Sequence, residues 1–316
     1  MARRGEAGMA VEGQGGIAYG GDRVRRESGL RDFWRLFKPN VMQLVVFTSA
    51  VAIYLAPGHV HPILGFTALM CIALGAGASA AINNAFDVDI DQRMARTRLR
   101  PTASGRIEPA EALAVGMTLA IIGVMVMGLA LNWLAAALLA FTIAFYVLIY
   151  TMWLKRRTPQ NIVIGGAAGA LPPVVAWAAV SGSVSLLPIL LFLIIFLWTP
   201  PHFWALALYR TGDYDRVSVP MLPVVAGRRS TLNHILIYTV VLVAVSLVPV
   251  ALGQAGIVYA LAAIGLGGAF VAYAYRLWRQ DRDLLAMRTF RYSIIYLFAL
   301  FAALAVDRAV QDLLLG

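Results

Sequence analysis

Residues 80–91 read Ala80-Ala81-Ile82-Asn83-Asn84-Ala85-Phe86-Asp87-Val88-Asp89-Ile90-Asp91, an apolar run that ends in three alternating acids. From residue 63 to residue 86 this run carries no charged side chain. About 20 such residues in a helix cross a hydrocarbon core of about 30 Å. Similar runs recur along the chain. The 316 residues are 60% hydrophobic and 13% charged, where a soluble domain has roughly 45–50% apolar and about 25% charged residues. A soluble helix would show an apolar stripe opposite a charged face. Here the apolar residues fill whole stretches instead. The pattern predicts an all-α membrane protein with nine transmembrane helices, near residues 40–57, 63–84, 110–131, 133–152, 160–181, 186–208, 231–252, 256–276 and 290–310.

Orientation follows from the basic residues. Every Lys and Arg except Arg308 lies in the N-terminal segment, in the loops after the second, fourth, sixth and eighth spans, or, for Arg276 and Arg291, at the span ends that flank the last of these loops. That bias places those loops and the N-terminus in the cytoplasm and the C-terminus in the periplasm. The net charge of +10 is therefore a topology signal, and a nucleic-acid partner is not expected. Residues 1–37, rich in Gly and Arg, are expected to form a disordered basic cytoplasmic tail, ending in a short interfacial amphipathic piece, Phe33 to Pro39. Residues 38–316 form a single polytopic domain. The one cysteine, Cys71, lies inside a span, so no disulfide can form within the chain.

Asn83, Asp87 and Asp91 are spaced i, i+4, i+8. At 3.6 residues per turn they drift only about 80° and share one helix face, while Asp89 points the other way. Carboxylates crowded at a membrane boundary repel one another and are costly to desolvate. Oxygen ligands on one face suit Mg²⁺, which takes one or two carboxylates and completes its shell with water and phosphate. Downstream come Arg93, Arg96, Arg98, Arg100 and Arg106. Arg96 and Arg100 are four residues apart, and guanidinium groups chelate phosphate oxygens. Acids for a metal, followed by bases for phosphate, describe a diphosphate site on the cytoplasmic face of a bacterial inner membrane. Positive-inside topology alone accounts for basic residues but not for this order.

Asn83, Asp87 and Asp91, then Met94-x-Arg96-Thr97-x-x-Arg100-Pro101, resemble the first aspartate-rich motif of the UbiA superfamily of intramembrane prenyltransferases. The resemblance implies a nine-helix bundle that uses Mg²⁺ to ionise an allylic prenyl diphosphate, with Asn83, Asp87 and Asp91 catalytic and metal-binding. After the fourth span, Lys155 and Arg156 either contact the diphosphate from the opposite side or anchor the helix at the membrane. Gly165 and Gly169 form a small-xxx-small step expected to let helices approach closely, and Pro172-Pro173 would kink the helix or open it.

The sixth span ends Trp198-Thr199-Pro200-Pro201-His202-Phe203-Trp204. Superfamily members that prenylate aromatic acids usually carry a second aspartate-rich motif here. This segment instead resembles the heme-farnesylating branch, as do Asn161 to Pro173 and Val219-Pro220-Met221-Leu222-Pro223. That branch implies farnesyl diphosphate and heme B as substrates, heme O as product, and heme A synthase or oxidase assembly factors as candidate partners. Trp198, Phe203 and Trp204 offer aromatic faces to a porphyrin, and His202 could ligate its iron, bond a propionate or cap a kinked helix. Asp213 and Asp215 lie further on, either as ligands of a second Mg²⁺ or as turn residues paired with Arg210 and Arg216. His59 and His61 fall on the opposite face, and His234 opens the seventh span. Three rivals remain: a prenyltransferase for an aromatic or quinone-precursor acceptor, a secondary transporter, and a scaffold. Transporters place charges near the bilayer midplane, whereas these acids cluster at one rim.

Overall fold

The computed structural model describes residues 29–58, 60–212 and 219–315. Asp213, Asp215, His59 and residues 1–28 of the expected tail lie outside the described residues. The described residues are mainly helical, and the expected spans are present to within a few residues, except that the last runs over Asp283–Leu315 rather than the expected 290–310. In chain order the helices are α1 (Leu30–Leu36), α2 (Pro39–Leu55), α3 (Pro62–Phe86), α4 (Val88–Arg93), α5 (Pro109–Ala130) and α6 (Trp133–Ala144). They continue as α7 (Asn161–Ala170), α8 (Pro172–Ser181), α9 (Leu186–Tyr209), α10 (Leu222–Val225), α11 (Gly227–Ala251), α12 (Ile257–Gln280) and α13 (Asp283–Leu315). Among the described residues eight segments are long and apolar enough to cross a membrane, and there are nine if α1 and α2, joined at a 56° bend, count as one span.

Each span packs on its neighbour in sequence, and α13 returns to α2 and to α9, which closes the bundle. The widest contacts are α3 on α5 and α12 on α13, while α2 also crosses onto α8. The close approach of α5 to α3 depends on Gly116 and Gly123. A Cβ on Gly116 would stand 2.6 Å from Ile82 Cγ1, and one on Gly123 would stand 3.3 Å from the Cys71 carbonyl oxygen. The tight division between the third and fourth spans is made by Asn132. Its Oδ1 accepts from Ala135 N at 2.9 Å, capping α6, and its Nδ2 donates to Ala178 O at 2.8 Å.

Three local departures from regular helix shape the site end. Beyond α6 the helix widens to a π-helix over Phe145–Trp153, then tightens to a 3-10 turn over Leu154–Arg156. The fifth span breaks at Leu171, where Pro172 removes a donor and disfavours helix before it. The sixth span does not break: α9 runs unbroken through Pro200 and Pro201, with Thr199 Oγ1 donating to Ile195 O at 2.8 Å. At the far end of the bundle the buried Asp307 carboxylate accepts from the backbone N–H groups of Gly256, Val258 and Tyr259, satisfying the first turn of α12. Arg308, the exception to the charge bias, pairs with Asp312 at 3.0 Å on the same helix.

Candidate active site

The acids sit where α3 gives way to α4. Asp87 is the joint between the two helices, with φ −98° and ψ 12°. The hydrogen-bond ladder crosses the joint: Asp87 N donates to Asn83 O at 3.0 Å and Asp91 N to Asp87 O at 2.8 Å. The helix expected to run unbroken therefore bends, yet Asn83, Asp87 and Asp91 stay in register. Asp87 is fully buried, at 0% exposure, and Asp91 nearly so. Buried carboxylates need partners, and each has a cation. Lys155 Nζ donates a short hydrogen bond to Asp87 Oδ2. Arg100 Nη1 bridges both oxygens of Asp91 at 2.9 and 2.7 Å. Asn83 Nδ2 donates to Asp87 Oδ2 at 2.7 Å and to Thr151 Oγ1 at 3.3 Å, while its Oδ1 accepts from Lys38 Nζ at 2.7 Å.

Each cation is carried there by a specific local structure. Lys38 lies in the elbow between α1 and α2 and adopts φ 51°, ψ 58°, immediately before Pro39. Left-handed backbone costs a non-glycine residue roughly 1–2 kcal/mol, so the elbow is held by other contacts. Leu36 is buried, and its carbonyl accepts from Asn84 Nδ2 at 3.0 Å. Lys155 and Thr151 reach the acids from the π-helix and the turn after it. A π segment inserts an extra residue per turn and is frequent at functional sites. Arg100 is carried by a folded loop: Thr97 Oγ1 donates to Asp91 O and Thr102 Oγ1 to Asn84 O, both at 3.1 Å. Arg106 Nε ties the same loop to Asp32 at 3.0 Å.

Two of the expected phosphate ligands are placed differently. Arg156 turns away from Asp87, with its Nη1 and Nη2 each 2.7 Å from an oxygen of Asp89. The Asp89 side chain is 57% exposed, on the side opposite its two acidic neighbours. The hydrogen bond from Arg156 holds the Asp89 carboxyl below its usual range. Arg96 is exposed and makes no ion pair among the described residues.

One acceptor of this cluster is unspent. Asp87 Oδ1 is buried and has no hydrogen-bond partner among the described residues. A carboxylate oxygen with free lone pairs, beside a second carboxylate and an amide oxygen, fits the donor set that Mg²⁺ takes. From this end an apolar cavity enclosing about 730 Å³ of space free of protein atoms, open solvent included, runs into the bundle. Lys38 and Tyr146 stand at the acid end, and Ile72, Gly75, Leu139 and Val175 line its deeper wall. Ile72 is eleven residues from Asn83 along α3, a depth of roughly 16 Å at 1.5 Å per residue.

His202 stands on α9, apart from the acids. Its ring is sandwiched between Trp198, with centroids 4.2 Å apart, and Phe290, at 4.6 Å. Phe203 meets it edge-on. Its Nδ1 lies 2.6 Å from Ser293 Oγ on α13, and Trp198 Nε1 donates to Ser293 O at 2.7 Å. Both faces of the imidazole are covered, so a porphyrin cannot stack on either one. Trp204 belongs to another group: it is buried edge-on against His234 and Tyr238 of α11. His61 caps α3 at the other end of the bundle, accepting from Ile63 N at 3.3 Å.

Residues 44–305 match the UbiA prenyltransferase family. The chain belongs to that family. It is 58% identical over 282 residues to a protoheme IX farnesyltransferase of Parvibaculum lavamentivorans, covering 88% of this chain and 89% of that protein. It is 52% identical over 310 residues to one of Rhizobium rhizogenes, covering 97% of each. Among solved structures it resembles a digeranylgeranylglyceryl phosphate synthase, with a TM-score of 0.73 at 20% identity over 88% of this chain and 98% of the other. A UbiA homologue from Archaeoglobus fulgidus bound to DMAPP and Mg²⁺ gives a TM-score of 0.61 at 16% identity, over 87% and 99%.

Sequence reasoning missed Lys38, Thr151 and Ser293 within this UbiA fold. Lys38 precedes a proline at the start of a span, and that pairing was the available signal, because a residue before proline disfavours helix. Nothing in the sequence ties Ser293 to His202, which are 91 residues apart.

Proposed function

We propose that this prenyltransferase transfers a farnesyl group from farnesyl diphosphate to a vinyl group of heme B, with addition of water, giving heme O and diphosphate. The observation that carries the reading is a buried acid–base cluster, one carboxylate oxygen unspent, at the mouth of an apolar cavity. The acceptor is supported by the protoheme IX farnesyltransferases that are 52–58% identical to this chain. The active site faces the cytoplasm from the inner membrane, in keeping with the distribution of Lys and Arg.

Asp87 and Asp91 would hold Mg²⁺, which when bound neutralises charge on the leaving diphosphate. Asn83 orients Asp87 through its Nδ2 and takes the Lys38 ammonium on its Oδ1. Lys155 and Arg100 hold the acids and Lys38 holds Asn83 in the absence of substrate, and all three turn to phosphate oxygens when the diphosphate enters. Each is thus a donor aimed at charge that grows as the C–O bond breaks. Arg156, paired with Asp89 on the outer side, supports the helix end, and Arg96 is free to meet the diphosphate from solvent. The cavity takes the farnesyl chain, worth roughly 0.8 kcal/mol per buried CH₂, and keeps water from the allylic cation. The vinyl carbon of heme attacks C1 of the farnesyl group. Water then captures the resulting cation and loses a proton, so that a hydroxyl enters as diphosphate leaves.

Heme approaches through α9 and α13. With both ring faces of His202 covered, its contact with heme is edge-on through Nε2. The test is mass spectrometry of porphyrins after purified protein is incubated with heme B, farnesyl diphosphate and Mg²⁺. Formation of heme O is expected; its absence, or prenylation of 4-hydroxybenzoate in a parallel reaction, overturns the reading.

A further inference from the structure

Gly165 and Gly169 lie one turn apart on α7, yet their surroundings differ. A Cβ on Gly165 would stand 2.2 Å from the Tyr150 ring, so that glycine is required by packing. A Cβ on Gly169 would meet no atom within 4 Å, and Gly169 lines the apolar cavity. Glycine inside a helix is less favourable than alanine. No neighbour and no left-handed backbone requires it at 169, so the fold does not explain the residue. The space it leaves open does. Gly169 is eight residues along α7 from Asn161, whose side chain donates to Thr158 O in the loop just after Lys155. That places it roughly 12 Å into the bundle at 1.5 Å per residue. Gly75, eight residues from Asn83 along α3, lines the same cavity at a similar depth. Just beyond the break at Leu171, Pro172 and Val175 of α8 line the same cavity.

We propose that Gly169 is the position that sets prenyl chain length, by leaving room for the third isoprene unit of a fifteen-carbon donor. This rests on the cavity being the farnesyl site. A Cβ at 169 meets no protein atom within 4 Å, so a branched side chain built on it takes up cavity space, and the distal unit of farnesyl diphosphate loses its place. The ten-carbon donor, geranyl diphosphate, still fits.

The experiment is a graded series, Gly169→Ala, Gly169→Val and Gly169→Leu, assayed with geranyl and farnesyl diphosphates against heme B. The ratio of kcat/KM for farnesyl over geranyl is expected to fall with side-chain size, by roughly 10- to 200-fold for leucine. Geranyl transfer by the same variant, and a thermal stability for Gly169→Ala at or above that of the parent, report intact folding. A ratio unchanged across the series, or equal loss of both donors in all three variants, overturns the inference. The parent protein run alongside separates the two readings. If it consumes no farnesyl diphosphate, the function proposed above fails; if it does and the ratio stays fixed, only the role of Gly169 fails.

Discussion

His202 Nδ1 and Ser293 Oγ are 2.6 Å apart, and Ser293 Oγ donates to Phe290 O, also at 2.6 Å. A hydroxyl has one proton. With that proton on the Phe290 carbonyl, Ser293 must accept from His202, which fixes the proton on Nδ1 and leaves the lone pair on Nε2. A neutral imidazole held in that tautomer offers a lone pair that suits iron, and it has no Nε2 proton to give a propionate. Ser293→Ala removes the orienting partner but keeps the backbone carbonyl that receives Trp198 Nε1. Losing such an orienting bond typically costs 10- to 100-fold in ligand affinity or activity. The expected loss falls on KM for heme B, with KM for farnesyl diphosphate unchanged, and Ser293→Thr restores part of it. Equal effects on both substrates would refute the assignment.

Lys155 and Asp87 form the most buried ion pair of the site. Removing one partner of such a pair leaves a charge without compensation, which costs about 3–5 kcal/mol. Lys155→Met should therefore lower Tm in detergent. Asp87→Asn in the Lys155→Met background should recover most of that stability and none of the activity. Adding Mg²⁺ with inorganic diphosphate should raise the Tm of Lys155→Met more than that of the parent, because the metal supplies the missing positive charge. A double variant no more stable than Lys155→Met alone would show that the pair is not what holds Asp87.

Asn83, Asp87 and Asp91 were legible because the i, i+4 spacing survives even a bend at Asp87, whose ladder hydrogen bonds continue across it. The spans were legible because hydrocarbon permits little but continuous apolar helix. Lys38 was hidden: one basic residue at a span's start is what topology alone demands, and only the left-handed turn before Pro39 aims it at Asn83. Lys155 and Arg156 were indistinguishable as neighbours in an expected loop. The π-helix ahead of them sends Lys155 to Asp87 and Arg156 to Asp89. The Trp198 and His202 pairing follows an i, i+4 step, but the covering of the second face by Phe290 comes from another helix.

Arg100 and Arg156 read alike in sequence and should behave differently. Arg100 meets a nearly buried Asp91, whereas Arg156 and Asp89 are both substantially exposed. An exposed pair contributes about 0–1 kcal/mol after solvent screening. Arg156→Ala should leave kcat/KM within a few-fold of the parent and lower Tm only slightly. That small contribution is present above the ordinary carboxylate pKa. It is lost as pH falls through the depressed value of Asp89, so parent and variant should converge in stability at acid pH. Arg100→Ala should reduce kcat/KM by about 10²- to 10³-fold, the loss seen for a single donor aimed at developing charge. Equal losses in both variants would contradict the separation of the two arginines.

Lys38 gives the sharpest division between binding and folding. Its ammonium reaches Asn83 Oδ1 at 2.7 Å and lies at the mouth of the cavity, yet its backbone holds φ 51°. Lys38→Gly relieves the backbone strain and removes the charge; Lys38→Met keeps the strain and removes the charge. The glycine variant should therefore be the more stable of the two, with the same catalytic defect. A hydrogen bond from a charged group is worth about 1.5–3 kcal/mol, or roughly 10- to 150-fold in affinity. That loss should appear as weaker binding of Mg²⁺ with inorganic diphosphate by calorimetry, and as a higher KM for farnesyl diphosphate, in both variants. KM for heme B should not move. Should Lys38→Gly bind diphosphate as the parent does, the ammonium serves Asn83 alone and takes no part in holding the leaving group.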